Sequence, residues 1–124
     1  MERGEVYLVA IPLPDRNNPG RQPVIRQKYV VVLRGGPNSA SEAEVPVVIA
    51  STDRRRGRPL RKFEVSVGTA EGFRHDTVID CRWPVTIEKQ RLPAQPSGCL
   101  GRDKQWELSV ALVHGLQMVT PTLP

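Results

Sequence analysis

The densest group of chemically active side chains in this sequence is a basic segment at residues 54–62. It holds six of the eighteen Lys and Arg residues of the chain, namely Arg54, Arg55, Arg56, Arg58, Arg61 and Lys62. Residues 1–63 carry twelve cations against six acids, whereas residues 64–124 carry six against seven. A cluster of this kind attracts polyanions such as RNA through counterion release. The alternative is a solvated loop beside a strand.

Cysteine and histidine are too sparse for the common metal sites. Cys81 and Cys99 fall in no Cys-x-x-Cys or Cys/His spacing, which favours two reduced thiols. His75 is interpreted as a surface-loop residue, with a proton shuttle as the alternative. His114 lies in a predicted apolar helix and is interpreted as structural. The sequence therefore predicts no metal and no cofactor.

Short apolar runs separated by Pro, Gly, Asn and Ser clusters predict a compact β-barrel. A loop is expected over 12–23 and a turn at 35–39. Strands are predicted at 6–11, 29–33, 45–50, 63–67 and from 78, with a short edge strand within 92–100.

One helix is predicted from about Arg102 to Leu116, with Asp103 as its N-cap. Its apolar stripe would cover one opening of the barrel and consists of Leu108, Ala111, Leu112 and Gly115, with Trp106 and Val113 beside it. Residues 1–116 are expected to form one domain, and 117–124 a loose tail. No apolar run is long enough to span a membrane and no signal peptide is evident, so a cytoplasmic protein is expected.

Two segments and a strand end carry the most specific pattern. The chain opens Met-Glu-Arg-Gly-Glu-Val-Tyr-Leu-Val, and residues 76–92 read Asp-Thr-Val-Ile-Asp-Cys-Arg-Trp-Pro-Val-Thr-Ile-Glu-Lys-Gln-Arg-Leu. Between them lies Val-Val-Ile-Ala-Ser-Thr at 47–52. In this order, the three segments resemble the PemK/MazF (Kid-type) toxin family over roughly residues 2–116. That family consists of small endoribonucleases silenced by an antitoxin.

The resemblance implies a mainly β fold, a small SH3-like (CcdB/MazF/PemK-type) β-barrel with a C-terminal α-helix, and a homodimer. It implies sequence-selective, metal-independent cleavage of mRNA by the toxin of a type II toxin–antitoxin system. Attack by the 2′-hydroxyl would give a 2′,3′-cyclic phosphate. The expected partners are single-stranded RNA and a cognate antitoxin whose acidic, disordered tail covers the basic groove.

The resemblance also assigns roles to single residues. Lys28 stands where the family has a catalytic arginine, and it either clamps phosphate or is an ordinary strand-start lysine. Arg26 would face the same side as Lys28 and could substitute for it. Together with Arg54, Arg55, Arg56 and Arg58, it would hold the phosphate backbone of the RNA. Thr52 takes the place of a threonine whose hydroxyl donates to a phosphoryl oxygen; the alternative is a turn residue. Glu5 matches the family's N-terminal Arg-Gly-Glu and would line the same groove.

The family's Arg-Cys-Asp triplet appears here with its charges exchanged, as Asp80-Cys81-Arg82. Residues i and i+2 of a strand face the same side, so Asp80 and Arg82 can still present both charges together. The pair is a working acid/base pair, a salt bridge, or part of a decayed site. Trp83 stands where the family has Gln and either stacks on an unpaired base or packs at a dimer interface.

Two other functions compete with the endoribonuclease. A catalytically decayed module would keep RNA or antitoxin binding without cleavage. A CcdB-type gyrase poison has the same barrel but depends on a C-terminal Trp-Gly-Ile, whereas this sequence ends in Pro-Thr-Leu-Pro.

Overall fold

The computed structural model describes residues 1–13, 20, 22–36 and 41–119, without the side chains of 118 and 119. The described residues form seven strands, two short 3₁₀ turns and one helix. The strands are β1 Glu5–Leu13, β2 Val24–Val32, β3 Glu44–Thr52, β4 Glu64–Val67, β5 Thr77–Asp80, β6 Val85–Glu88 and β7 Gly98–Cys99. The 3₁₀ turns span Thr69–Glu71 and Lys89–Arg91, and the helix α1 spans Arg102–Val119.

The strands form a single curled antiparallel sheet in the order β4-β5-β3-β2-β1-β7. Strand β3 is central, because β2 pairs with one of its edges while β5 and β6 share the other. The predicted mainly β fold with one C-terminal helix is confirmed. The predicted edge strand is also present, as β7 at the β1 edge.

Alternation along the strands divides the core into two layers. The helix-side face of the sheet carries Val31, Ala50 and Ile79, which pack with Leu108 and Ala111 of α1. The opposite face carries a second buried set, including Val9, Val30 and Val47, which packs with Ile87 and Leu92. Side chains on both faces are buried, so the continuous apolar runs of β2 and β3 are as expected for strands covered on both sides.

The predicted helix stripe is confirmed, because Leu108, Ala111 and Gly115 are buried, whereas Trp106 is 70% exposed. The prediction of Asp103 as N-cap is wrong. The helix begins at Arg102, and the Gln105 N–H donates to the Gly101 carbonyl, so Asp103 lies inside the first turn. A carboxylate there still stabilises the helix N-terminus through the helix dipole.

Glycine at position 115 lets α1 lie directly on the turn that joins β5 to β6. A Cβ at Gly115 would come within 2.5 Å of the Cys81 carbonyl oxygen, which is too close for any other residue without movement. The helix therefore supports the backbone between Asp80 and Arg82.

Several predicted boundaries are wrong. Pro12 and Leu13 belong to β1 rather than to a loop, β2 begins at Val24 rather than at Tyr29, and α1 continues to Val119. The ends of β1 and β2 pair only with each other, beyond the last β2–β3 pair, so they are largely exposed and lack a burial pattern. Strand β6 was not predicted either, because it is mostly exposed and also lacks a burial pattern. Residues 14–19, 21, 37–40 and 120–124 lie outside the described part.

The helix of the described chain is not apolar enough over sufficient length to cross a membrane.

Candidate nucleic-acid interface

Strand β3 ends in two hydroxyl residues that lie on opposite faces of the sheet. Thr52 pairs with Thr77 and lies two residues after Ala50. Residues two positions apart on a strand face the same side, so Thr52 has the same parity as Ala50 and lies on the helix-side face. Ser51 pairs with Val78 and lies on the opposite face. The sequence predicts Thr52 as a site residue and gives no sign of Ser51, because the two cannot be distinguished until the face of each is known.

Lys28 shares the face of Ser51. It pairs directly with Val9 and has the parity of Val30, both of which belong to the second core layer. The β2–β3 register ends with Tyr29 opposite Ala50, and one further step places Lys28 beside Ser51. A cation and a hydroxyl therefore lie on neighbouring strands, facing the same side.

Asp80 also lies on this face, because it has the parity of Val78 on β5. We call the residues Lys28, Ser51, Asp80 and Arg82 the opposite-face cluster. Three of them are predicted site residues, whereas the predicted Thr52 lies on the other face. Lys28, Asp80 and Arg82 therefore share a face on which Thr52 does not lie, although Lys28 and Thr52 line the same cavity at the strand ends.

Asp80 and Arg82 form a closely matched ion pair. The Arg82 side chain donates from Nη2 to Oδ2 of Asp80 at 2.7 Å and from Nε to Oδ1 at 3.1 Å, and its backbone N–H donates to Oδ1 at 3.0 Å. The Arg82 guanidinium also stacks over Phe63, with its central carbon 4.2 Å from the ring centroid. Both charges are thus present together, in the form of a salt bridge.

Burial raises the pKa of Asp80, but the hydrogen bonds from Arg82 and the charges of Arg82 and Arg61 outweigh it and lower the pKa below its usual 3.8. A carboxylate with a lowered pKa is a weak base. As an acceptor, however, it fixes the position of the Arg82 guanidinium beside Phe63.

Asp80→Asn is expected to lower the free energy of unfolding at pH 7. A lowered folded-state pKa stabilises the fold above the usual pKa and is lost as the pH falls through the folded-state value. The difference between wild type and variant should therefore be constant near neutrality and shrink below pH 3.8. Urea unfolding at a series of pH values measures it; a difference that persists unchanged at pH 2 would contradict this account.

The basic segment is fixed by its own ion pairs. Arg55 binds both carboxylate oxygens of Asp53, and Arg58 binds both of Glu64, which pairs directly with Asp80 across β4 and β5. Of the four arginines of this segment that were predicted to bind RNA, Arg54, Arg55, Arg56 and Arg58, two therefore have internal partners.

The other two arginines are presented to solvent. Arg54 and Arg56 are exposed and form no ion pair with any residue in the described part of the chain. Arg56 has a positive φ of 52° and precedes Gly57 at 88°, in a turn closed by the Arg58 N–H donating to the Arg55 carbonyl at 3.1 Å. This turn places Arg56 at its tip.

A cavity of about 200 Å³ lies at the ends of β2 and β3, and residues of both faces of the sheet line it. Thr52 Oγ1 and His75 Nε2 are 2.9 Å apart in it and share a hydrogen bond. His75 lies on an exposed loop, as predicted, but its contact with Thr52 was not predicted, and neither was the presence of Arg74. The lining residues are Leu8, Gln27, Lys28, Tyr29, Ala50, Ser51, Thr52, Arg74, His75 and Thr77.

The remaining predicted residues lie apart from this cavity. Glu5 pairs with Cys99 and accepts a hydrogen bond from the Tyr7 hydroxyl at 3.3 Å. Arg26 is exposed on the β1–β2 extension, opposite Ile11. Trp83 is 61% exposed in the turn between β5 and β6, and is open to either of its predicted contacts.

Both cysteines are free thiols, buried at Cys81 and exposed at Cys99. Burial and the charge of Asp80 raise the pKa of Cys81 to about 12, so this thiol stays protonated at neutral pH. Among the described residues, no three His, Cys, Asp or Glu side chains converge into a potential metal site.

Several solved structures have the same fold as this chain. A mycobacterial endoribonuclease, solved in complex with its cognate antitoxin, superposes with a TM-score of 0.68 at 17% identity, covering 98% of this chain and 99% of that one. The toxin MazF-mt6 of Mycobacterium tuberculosis gives a TM-score of 0.67 at 16% identity, over 90% of this chain and 94% of that one. This chain has the fold of the MazF toxins.

A MazE–MazF structure from Deinococcus radiodurans gives the same result, with a TM-score of 0.63 at 11% identity over 94% of this chain and 95% of that one. No protein-family profile and no curated protein matches the sequence. The resemblance to PemK/MazF toxins is thus confirmed through the MazF-like fold, over nearly the whole length of both chains.

Proposed function

We propose that this protein is an mRNA endoribonuclease that acts in the cytoplasm as the toxin of a type II toxin–antitoxin pair. The observation that carries the proposal is the opposite-face cluster on a MazF-like sheet. It combines two cations, a hydroxyl and a carboxylate, which is enough to position a phosphodiester and to stabilise charge on it.

The proposed reaction is an intramolecular transfer within the RNA. The ribose 2′-oxygen attacks the adjacent phosphorus, the bond from phosphorus to the 5′-oxygen breaks, and the 2′ proton ends on that leaving oxygen by way of solvent. Lys28 and Arg82 stabilise the negative charge that develops on the phosphoryl oxygens, and the Ser51 hydroxyl donates to one of them. The products are a 2′,3′-cyclic phosphate and a 5′-hydroxyl.

The exposed basic groups extend this site into a path for an RNA strand. Arg54 and Arg56 supply backbone contacts beside the cluster, and the exposed Trp83 offers a surface on which an unpaired base can stack. Contacts of this second kind would give the cleavage its sequence selectivity. The same cations attract the acidic tail of an antitoxin, and two of the similar toxin structures were solved with one. We also propose a homodimer.

One observation favours a second candidate, an RNA- or antitoxin-binding module without cleavage. The Asp80 carboxylate is fully engaged by Arg82, and its lowered pKa makes it a poor acceptor for the 2′ proton. Such a module would retain the exposed cations and bind RNA in a salt-sensitive manner.

Incubation of the purified protein with a long single-stranded RNA in excess EDTA separates the two candidates. The endoribonuclease produces discrete cuts that bear 2′,3′-cyclic phosphate ends. Intact RNA that shifts on a gel at low salt, and not at high salt, identifies the binding module instead. Cleavage that appears only when a divalent cation is restored would contradict the proposed metal-independent reaction.

A further inference from the structure

The Thr52, Arg74 and His75 side chains of the cavity have no task in the proposed reaction. Lys28 and Ser51 of the opposite-face cluster also line this cavity, so it adjoins the cluster at the strand ends. Its polar groups nevertheless lie close together. The Thr52 hydroxyl and the His75 imidazole share a hydrogen bond of 2.9 Å, and the Gln27 amide lies on the same face.

The loop that carries His75 is held from three sides. The Thr77 hydroxyl donates to the His75 carbonyl at 2.8 Å, and the Asp53 N–H donates to the Asp76 carbonyl at 3.1 Å. Two residues before His75, the buried Phe73 ring packs edge-on against Tyr29 with centroids 5.0 Å apart. The imidazole is therefore presented by a backbone that is fixed before any ligand arrives.

The charges around the cavity are all positive. Arg74 is exposed at its rim and forms no ion pair within the described residues, and Lys28 borders it on β2. No carboxylate of the described residues lines it. The nearest in sequence, that of Asp76, lines a separate cleft together with Asp53 and Arg55. The groups that face the imidazole from β1, β3 and β5 are uncharged.

We propose that this cavity is a phosphate-binding subsite, which holds a phosphate of the RNA strand other than the one that is cleaved. In the tautomer protonated at Nε2, His75 donates to the Thr52 oxygen, so the Thr52 O–H is free to donate to a phosphate oxygen, while Arg74 supplies the charge. The proposal depends on the proposed function only for the identity of the ligand as RNA.

Binding to a 2′-O-methyl oligoribonucleotide, which cannot be cleaved by its own 2′-oxygen, tests the charge at the rim. For a phosphate contact on a single strand, Arg74→Gln should reduce the slope of log K against log salt by about 0.7 and weaken binding at low salt about fivefold. Arg102→Gln removes an exposed arginine at the start of the helix and serves as the matched control, with slope and affinity unchanged. An Arg74→Gln slope equal to that of wild type would overturn the proposal.

The histidine is tested with the other histidine of the chain as its control. His75→Gln should bind the oligonucleotide more weakly than wild type at low salt, and His114→Gln should bind it as tightly as wild type. Inorganic phosphate, titrated separately, should shift the His75 ring resonances and leave those of His114 unchanged. Resonances that respond to the oligonucleotide alone would show that the subsite needs the strand, and resonances that respond to neither would overturn it.

In these measurements, the subsite proposal and the proposed function can fail independently of each other. If the wild-type protein binds the oligonucleotide through Arg74 and His75 but does not cleave RNA, the subsite proposal stands and the endoribonuclease proposal fails. If the wild-type protein cleaves RNA but Arg74→Gln and His75→Gln leave KM and binding unchanged, the endoribonuclease proposal stands and the subsite proposal fails.

Discussion

Replacing Ser51 with alanine is expected to slow RNA cleavage by about 100- to 1,000-fold, the usual effect of deleting one hydrogen-bond donor to a developing oxyanion. Ser51 lies beside Lys28 on the face that also carries the Asp80–Arg82 pair. Its side chain is exposed and forms no described hydrogen bond, so the fold should be unaffected. Single-turnover cleavage at saturating protein measures the chemical step.

Thr52→Val is the matched comparison, because it removes the next hydroxyl along β3 while keeping the shape of the side chain. Thr52 belongs to the proposed subsite and not to the opposite-face cluster, so the change should raise KM and alter kcat by less than about threefold, as expected for lost uniform binding. If instead Thr52→Val abolishes turnover and Ser51→Ala leaves it intact, the proposed arrangement is wrong. The reaction would then take place beside Thr52 and His75.

Leu108→Ala is expected to lower the free energy of unfolding by about 2–5 kcal/mol, the range for truncating a buried leucine where the cavity cannot close. Leu108 is fully buried between α1 and the helix-side face, among Val31, Ala50 and Ile79. The effect should be near the upper end of the range, because Gly115 holds the helix against the backbone of Cys81 and limits its relaxation. Equilibrium urea unfolding measures it.

Val113→Ala, on the outer side of the same helix, is the control. Its side chain is 56% exposed, so the change should stay within about 0.5 kcal/mol. Equal losses for the two variants would mean that the helix does not cover the sheet as described. A fall in RNA cleavage of Leu108→Ala below its unfolding temperature would show in addition that the helix supports the Asp80–Arg82 turn.

The strands and helix that form the core could be predicted because burial leaves a period in the sequence. Strands β2 and β3 have continuous apolar runs because both of their faces are buried, and the helix has an apolar stripe through Leu108 and Ala111 because that side packs on the sheet. The β1–β2 extension and β6 could not be predicted in this way, since their pairing is made by backbone hydrogen bonds and buries few side chains. The excess of cations in the first half of the chain, and with it the proposal of an RNA ligand, also came from the sequence.

Only the tertiary structure decided which of these residues can act together. Strand residues one position apart face opposite sides, so the assignment of Ser51 rather than Thr52 to the face of Lys28 depends on a register that the sequence does not reveal. The pairing of His75 with Thr52, 23 residues earlier, is a contact between a loop and a strand end that the sequence could not show. The sequence thus determined the chemistry available to this protein, and the register of β2, β3 and β5 determined how that chemistry is divided between the two faces of the sheet.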